Sequence, residues 1–255
     1  LLFIFPETLA PVFAWKVTAF MTMTIGGWCL GNAWLAFITA RRWDWGLNRA
    51  SLLYLWLFGV AELLVLFAFR EKLILQHPVA WLYLLTLIIN VVTAFVGITD
   101  YIRLRPANTP NGEILSWAQK APALLFVFFV GFLGAYGITA QIGDAGTNGG
   151  IFPEVMSLFT LRSFGVFYFS LALGVLPFFW RAGHKTVLHH SFASYGLIVF
   201  ITLAAFRYLP LFNFAQRPGG LLYFGVYLLA GIPLAFLFRK YGTGTRDSSH
   251  TNTTH

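Results

Sequence analysis

The chain has 255 residues, of which 58% are hydrophobic and 10% charged, with a mean hydropathy of +0.73. Soluble domains carry about 25% charged residues, so this chain has too little charge to cover a water-facing surface, and lipid is the solvent for most of it. Its net charge of +8 gathers at the ends of apolar runs, where cations set orientation and meet anionic head groups; this argues against a nucleic-acid partner. Cys29 is the single cysteine and lies in an apolar run, so no internal disulfide or cysteine-based metal site is expected.

The opening Leu-Leu-Phe-Ile-Phe reads as the end of a helix whose first part lies outside the sequence. A helix needs about 20 mostly apolar residues to cross the hydrocarbon. The first full run, residues 11–40, stops at Arg41-Arg42-Trp43-Asp44-Trp45, where cations and interfacial tryptophans meet. Runs follow over 51–69, ending at Arg70-Glu71-Lys72, and over 78–102, ending in Arg103 and Arg105. Residues 106–116, PANTPNGEILS, are rich in Pro, Asn and Gly and form a polar connection. Further runs occupy 117–142, 152–180, 191–209 and 219–238, with the glycine-rich loop GDAGTNGG at 143–150. The expectation is an all-α polytopic membrane bundle with seven spans in this chain and eight in the intact protein.

Short landmarks recur in order. Phe5-Pro6-Glu7 reappears at 152–154, Ala68-Phe69-Arg70 at 205–207, His77-Pro78 as Arg217-Pro218, and Leu82-Tyr83 at 222–223. Such recurrence predicts an internal duplication. Residues 1–105 form the first repeat, with a truncated first helix; 106–116 connect; 117–240 form the second repeat; 241–255 are a flexible polar tail. Four spans per unit make the repeats parallel, about an axis along the membrane normal. Most Lys and Arg residues fall on one side, which places the C-terminus in the cytoplasm of a bacterial cytoplasmic membrane.

Polar residues inside spans are the candidates for chemistry. Glu62 lies midway along its run, and a carboxylate at that depth costs about 2.5–3.5 kcal/mol on insertion scales, so it needs a partner or water. Lys16 and Arg162, at comparable depth and at near-equivalent places in the two repeats, are the expected partners. The trio reads as a static salt bridge, as a cluster that couples a proton or holds a charged substrate, or, on a third reading, as no pair at all, with Glu62 kept protonated by burial. Glu7 and Glu154 complement helix N-termini, or join Asp144 in an outward acidic cation site. Asn32 and Asn90 are expected to hydrogen-bond neighbouring helices, and Gly26, Gly27, Gly31, Gly131, Gly134 and Gly137 to permit close helix packing. His77, His184, His189 and His190 read as residues of turns and helix ends, so neither haem nor metal is predicted.

No nucleotide-binding, metalloprotease or serine-hydrolase motif occurs. The expected function is therefore non-catalytic: a subunit, a scaffold, or a component of a membrane assembly that binds lipid or another hydrophobic ligand. Membrane lipids are expected partners, together with other membrane subunits or a second copy. The alternative is a small secondary transporter using Lys16, Glu62 and Arg162.

Overall fold

A computed structural model describes residues 1–106, 112–141, 151–177 and 183–243. The glycine-rich loop with Asp144, and the tail beyond residue 243, lie outside the described residues. The fold is all-helical, with no strand among the described residues. A one-turn helix, α1 (Pro6–Leu9), precedes seven long ones: α2 (Ala19–Arg41), α3 (Trp45–Ala68), α4 (Pro78–Leu104), α5 (Trp117–Thr139), α6 (Leu158–Val175), α7 (His184–Arg207) and α8 (Gly219–Tyr241).

Helices α3 to α8 contain six segments long and apolar enough to cross a membrane. Helix α2 is as long, but Thr22, Thr24, Gly26, Gly27, Gly31 and Asn32 dilute its apolar content. Its environment explains the tolerance: much of its surface, including Thr22, Thr24 and Trp28, is buried against protein. A helix enclosed by protein does not need a lipid-facing surface all round.

Three helix starts lie away from the hydropathy boundaries, the first two of them set by side-chain caps. Residues 10–12 form a 3-10 turn that ends at extended Phe13, and α2 begins only after Thr18, whose hydroxyl accepts from the Met21 amide. Asp44 caps α3 by accepting from the Leu47 amide at 2.9 Å, which carries Asn48 and Arg49 into the helix. Helix α7 likewise starts at His184 and takes His189 and His190 into its second turn.

The bundle centre is built from α2, α3, α6 and α7. Helix α2 packs along α7 and α3 along α6, while α4 lies on α3, α5 on α6 and α8 on α7. The closest approach is between α5 and α6. A Cβ added at Gly137 would sit 2.5 Å from Gly165 Cα, so neither residue can carry a side chain. Gly31 meets Leu197 of α7 in the same way. Aromatic rings fill the centre: Trp28 stacks on Phe167 with centroids 4.4 Å apart, and Phe58 and Phe164 stand edge-on to Trp28.

Structural landmarks recur at a spacing of 139 positions, the separation of the hydrogen-bonded pair Ser51 and His190. Cap Thr18 corresponds to Ser157, and Asp44 to Gly183. C-cap Phe69 corresponds to Tyr208, with φ/ψ of −110°/25° and −111°/26°. The 3-10 turns Arg70–Lys72 and Leu209–Leu211 follow them. Trp28 and Phe167 are also equivalent in this register. The Phe-Pro-Glu tripeptides are not: Phe152 corresponds to Phe13, eight positions beyond Phe5. The rings recur with a one-residue offset on the partner helix: Phe13 packs on Tyr83 at 5.2 Å, and Phe152 on Tyr223, 140 positions beyond Tyr83, at 6.2 Å. A tripeptide identity reports similar turn chemistry; helix register is set by caps and packing.

The Gly137–Gly165 contact predicts an asymmetric response to added side chains. Gly165→Leu should destabilise by several kcal/mol, at or above the ~1–3 kcal/mol typical of overpacking, because backbone rather than a flexible side chain opposes it. Gly225→Ala in α8, with no atom within 4 Å of the new Cβ, should be neutral or slightly stabilising. Thermal unfolding in detergent checks both.

Candidate functional site

Glu62 sits on the enclosed face of α3 and is fully buried. Tyr83 of α4 donates its hydroxyl proton to Glu62 Oε1 at 3.0 Å. The edges of Phe13 and Trp15, at 5.2 and 5.5 Å, hold the Tyr83 ring in place. The other carboxyl oxygen, Oε2, and nearby Ser163 Oγ of α6 are both buried without a hydrogen-bond partner. Glu62 of α3 is therefore tied to α4 through the Tyr83 hydroxyl and lies beside Ser163 of α6, with no cation paired to it among the described residues.

The expected trio is not brought together. Arg162 is half-buried and donates from its two terminal nitrogens to the carbonyls of Gly137 and Ala140, each at 2.8 Å. These are carbonyls at the end of α5, which lack intrahelical partners. One position along α6, Ser163 turns inward toward Glu62, so Arg162 turns toward α5. Lys16 is exposed in the extended stretch before α2. It would have lain beside Glu62 only if α2 had begun near residue 11. At the 139-position spacing at which the caps recur, Arg162 falls opposite Met23 and not Lys16.

A second polar cluster joins α3 to α7 at the opposite end of the bundle. Ser51 Oγ and His190 Nδ1 are 2.8 Å apart, as are Asn48 Oδ1 and His189 Nε2. The Asn48 amide also donates to the Thr39 and Arg42 carbonyls at the end of α2. His189 and His190, expected at a helix end, are buried inside α7. Hydropathy hid them, because two histidines interrupt an apolar run in the same way as a turn. The spacing of Asn48 and Ser51 along one helix face was the available signal. Ser51 is fully buried, so these bonds tie helices together instead of meeting a substrate. Elsewhere Asn32 accepts from the Tyr54 hydroxyl at 2.8 Å, and the Asn90 amide donates to the Leu55 carbonyl at 3.4 Å, both between helices.

The third cluster lies where α2 and α6 begin. Glu7 Oε1 accepts from the Tyr208 hydroxyl at 2.7 Å, with Arg207 at 3.7 Å. Glu154 Oε2 accepts from the Thr18 hydroxyl, while Ser157 caps α6 in its place. Arg217 donates to the Pro153 carbonyl at 3.0 Å. Glu7 and Glu154 thus share one end of the bundle, each with donors of its own; Asp144 lies outside the described residues. The Tyr208 hydrogen bond, helped by Arg207, holds the Glu7 carboxyl below the usual carboxylate range. Burial pushes Glu154 above it, against the Thr18 hydrogen bond. Among the described residues no group of three or more His, Cys, Asp or Glu is arranged to hold a metal.

The fold defines a class, a membrane-embedded helical protein with six helices able to span. No family model matches the chain, and neither a curated protein nor a solved structure matches it.

Two outcomes follow for the carboxylates. Glu62→Gln keeps an acceptor for Tyr83 and adds a donor for Ser163, so it should cost little, whereas Glu62→Leu strands the Tyr83 hydroxyl and should cost about 1–3 kcal/mol by thermal unfolding. Glu154 binds its proton more tightly folded than unfolded. Its contribution to stability is present below the unfolded pKa and is lost as pH rises through the raised folded value; Glu7 behaves in the opposite sense. Between about pH 4 and 7 the melting temperature of Glu154→Gln should therefore gain on that of the parent protein.

Proposed function

We propose that this is a non-catalytic integral membrane protein, a subunit or scaffold of a larger membrane assembly, made of two parallel tandem repeats that cross the membrane seven times within this sequence. The recurrence of caps, 3-10 turns and aromatic contacts at 139 positions supports the repeats. Phe20 meets Tyr208 at 5.9 Å while the equivalent Phe159 meets Phe69 at 5.2 Å, the reciprocal contacts expected about a two-fold axis. Cation distribution supports a cytoplasmic C-terminus in a bacterial cytoplasmic membrane.

The observation that carries the subunit reading is an open face on α2. On α6, the stripe Gly165, Phe169 and Ala172 is covered by Gly137, Gly134 and Gly131 of α5. The equivalent stripe of α2 is Gly26, Leu30 and Ala33. Its start is covered, because the backbone of Leu2 and Phe3 lies against Gly26 as the end of α5 lies against Gly165. Beyond that point Leu30 and Phe37 are 39% and 54% exposed. The occupant is a transmembrane helix with small residues on its contact face, seated as α5 is seated on α6 and supplied either by a neighbouring subunit or by chain preceding Leu1. Membrane lipids cover the broad apolar faces of α4 and α8. The transporter alternative has less support: Lys16, Glu62 and Arg162 make separate contacts, and Trp28 and Phe167 fill the space between the repeats.

The test is lipid exposure of α2 in native membranes. A nitroxide at Phe37→Cys, in a Cys29→Ser background, should be several-fold less accessible to oxygen than one at Phe95→Cys on α4, where the native side chain is 62% exposed. After purification of the chain alone the two sites should become alike. Equal accessibility in native membranes would remove the subunit reading.

A further inference from the structure

A cleft of about 500 Å³ opens at the end of the bundle where α2 begins, between residues 7–19 and Ile74. Glu7, Lys16 and Thr18 supply its polar groups, and Pro11, Val17 and Ile74 an apolar wall. The two opposite charges share the cleft without pairing. Glu7 is fixed through Oε1 by Tyr208 and faces Arg207, which leaves Oε2 available. Lys16 is exposed and makes no hydrogen bond or ion pair among the described residues. An anchored carboxylate and a free ammonium, kept apart beside an apolar wall, complement a ligand with the reverse arrangement of charge.

We propose that this cleft binds a zwitterionic aminoalkyl phosphate group, its phosphate on Lys16 and its primary ammonium on Glu7, and that membrane phosphatidylethanolamine supplies it. Position gives the source. The cleft adjoins Ala19, the first residue of α2, and Ile74, between the end of α3 and the start of α4. Helix ends of a membrane bundle lie at head-group level, and the apolar wall receives the glycerol and upper acyl carbons. A primary ammonium can donate hydrogen bonds to Glu7 Oε2, which trimethylated choline cannot do; this distinguishes ethanolamine from choline lipids. Residues 7–19 form the site without the open face of α2, so this inference and the subunit reading can fail independently.

Native mass spectrometry of the delipidated full chain, titrated with phosphatidylethanolamine or phosphatidylcholine of matched acyl chains, tests the site. The ethanolamine lipid should be retained at least fivefold more strongly. Lys16→Gln and Glu7→Gln should each abolish that preference, while Lys16→Arg keeps it. Both side chains are exposed, so retained helical circular dichroism serves as the folding control, with an unchanged melting temperature expected for Lys16→Gln and a slightly lower one for Glu7→Gln, which weakens the Tyr208 and Arg207 contacts. Equal retention of the two lipids, or an unchanged preference in either neutralised variant, overturns the proposal. Soluble phosphoethanolamine separates the sources: displacement of the lipid at micromolar concentration moves the site to a solute and overturns the lipid assignment, and persistence of the lipid at millimolar concentration supports it.

Discussion

Helices in lipid gain little from hiding apolar side chains from one another, since the surroundings are equally apolar, so this bundle depends on close contact. The contact has two forms here. At Gly137–Gly165 and Gly31–Leu197 the helices approach until no further side chain fits. Between α2 and α6 the opposite solution applies, and Trp28, Phe167, Phe164 and Phe58 fill the gap with rings. Small residues set how near α5 comes to α6 and α2 to α7, and large aromatic residues set how far α2 stands from α6. A bundle held by shape in this way is sensitive to volume at both kinds of site.

Buried polar groups add direction to this packing. An oxygen or nitrogen atom in hydrocarbon must find a partner, and each partner fixes one rotation of a helix. Tyr83 to Glu62 fixes α4 against α3; Asn48 to His189 and Ser51 to His190 fix α3 against α7. Arg162 performs the same service for α5 by accepting none of the interior space and closing its final carbonyls. The ends of the bundle are thereby locked by hydrogen bonds, and the middle by rings.

The helical membrane class was legible from composition, and the existence of each long helix from hydropathy. Asn32, Asn90 and the small residues of α2 and α5 were legible too, because a polar or very small residue in an apolar run has few alternatives to helix contact. Helix starts were harder to read: Thr18 and Asp44 decide them, yet hydropathy carries the first run straight through Thr18 and leaves Asp44 in a turn. That error propagated. Starting α2 near residue 11 placed Lys16 beside Glu62, and matching Phe-Pro-Glu across the chain made Lys16 and Arg162 counterparts. Side-chain direction was the other missing information. Arg162 and Ser163 are adjacent in sequence, yet one turns out to α5 and the other in toward Glu62.

The 139-position register also bears on why Glu62 is there. Ile201, 139 positions further on, is fully buried in α7. On the proposed repeat, an isoleucine in one half stands where the other has a carboxyl group, and packing alone does not call for the carboxyl. Replacing a buried polar group by an apolar one of similar size is often neutral or stabilising, provided its partners are replaced as well. Tyr223, 140 positions beyond Tyr83, has its hydroxyl buried with no hydrogen-bond partner. That tyrosine stands without an acid, whereas Tyr83 has Glu62. What the carboxyl adds in this structure is a directional bond from Tyr83, and the unpartnered Oε2 beside Ser163 is where a further partner would act.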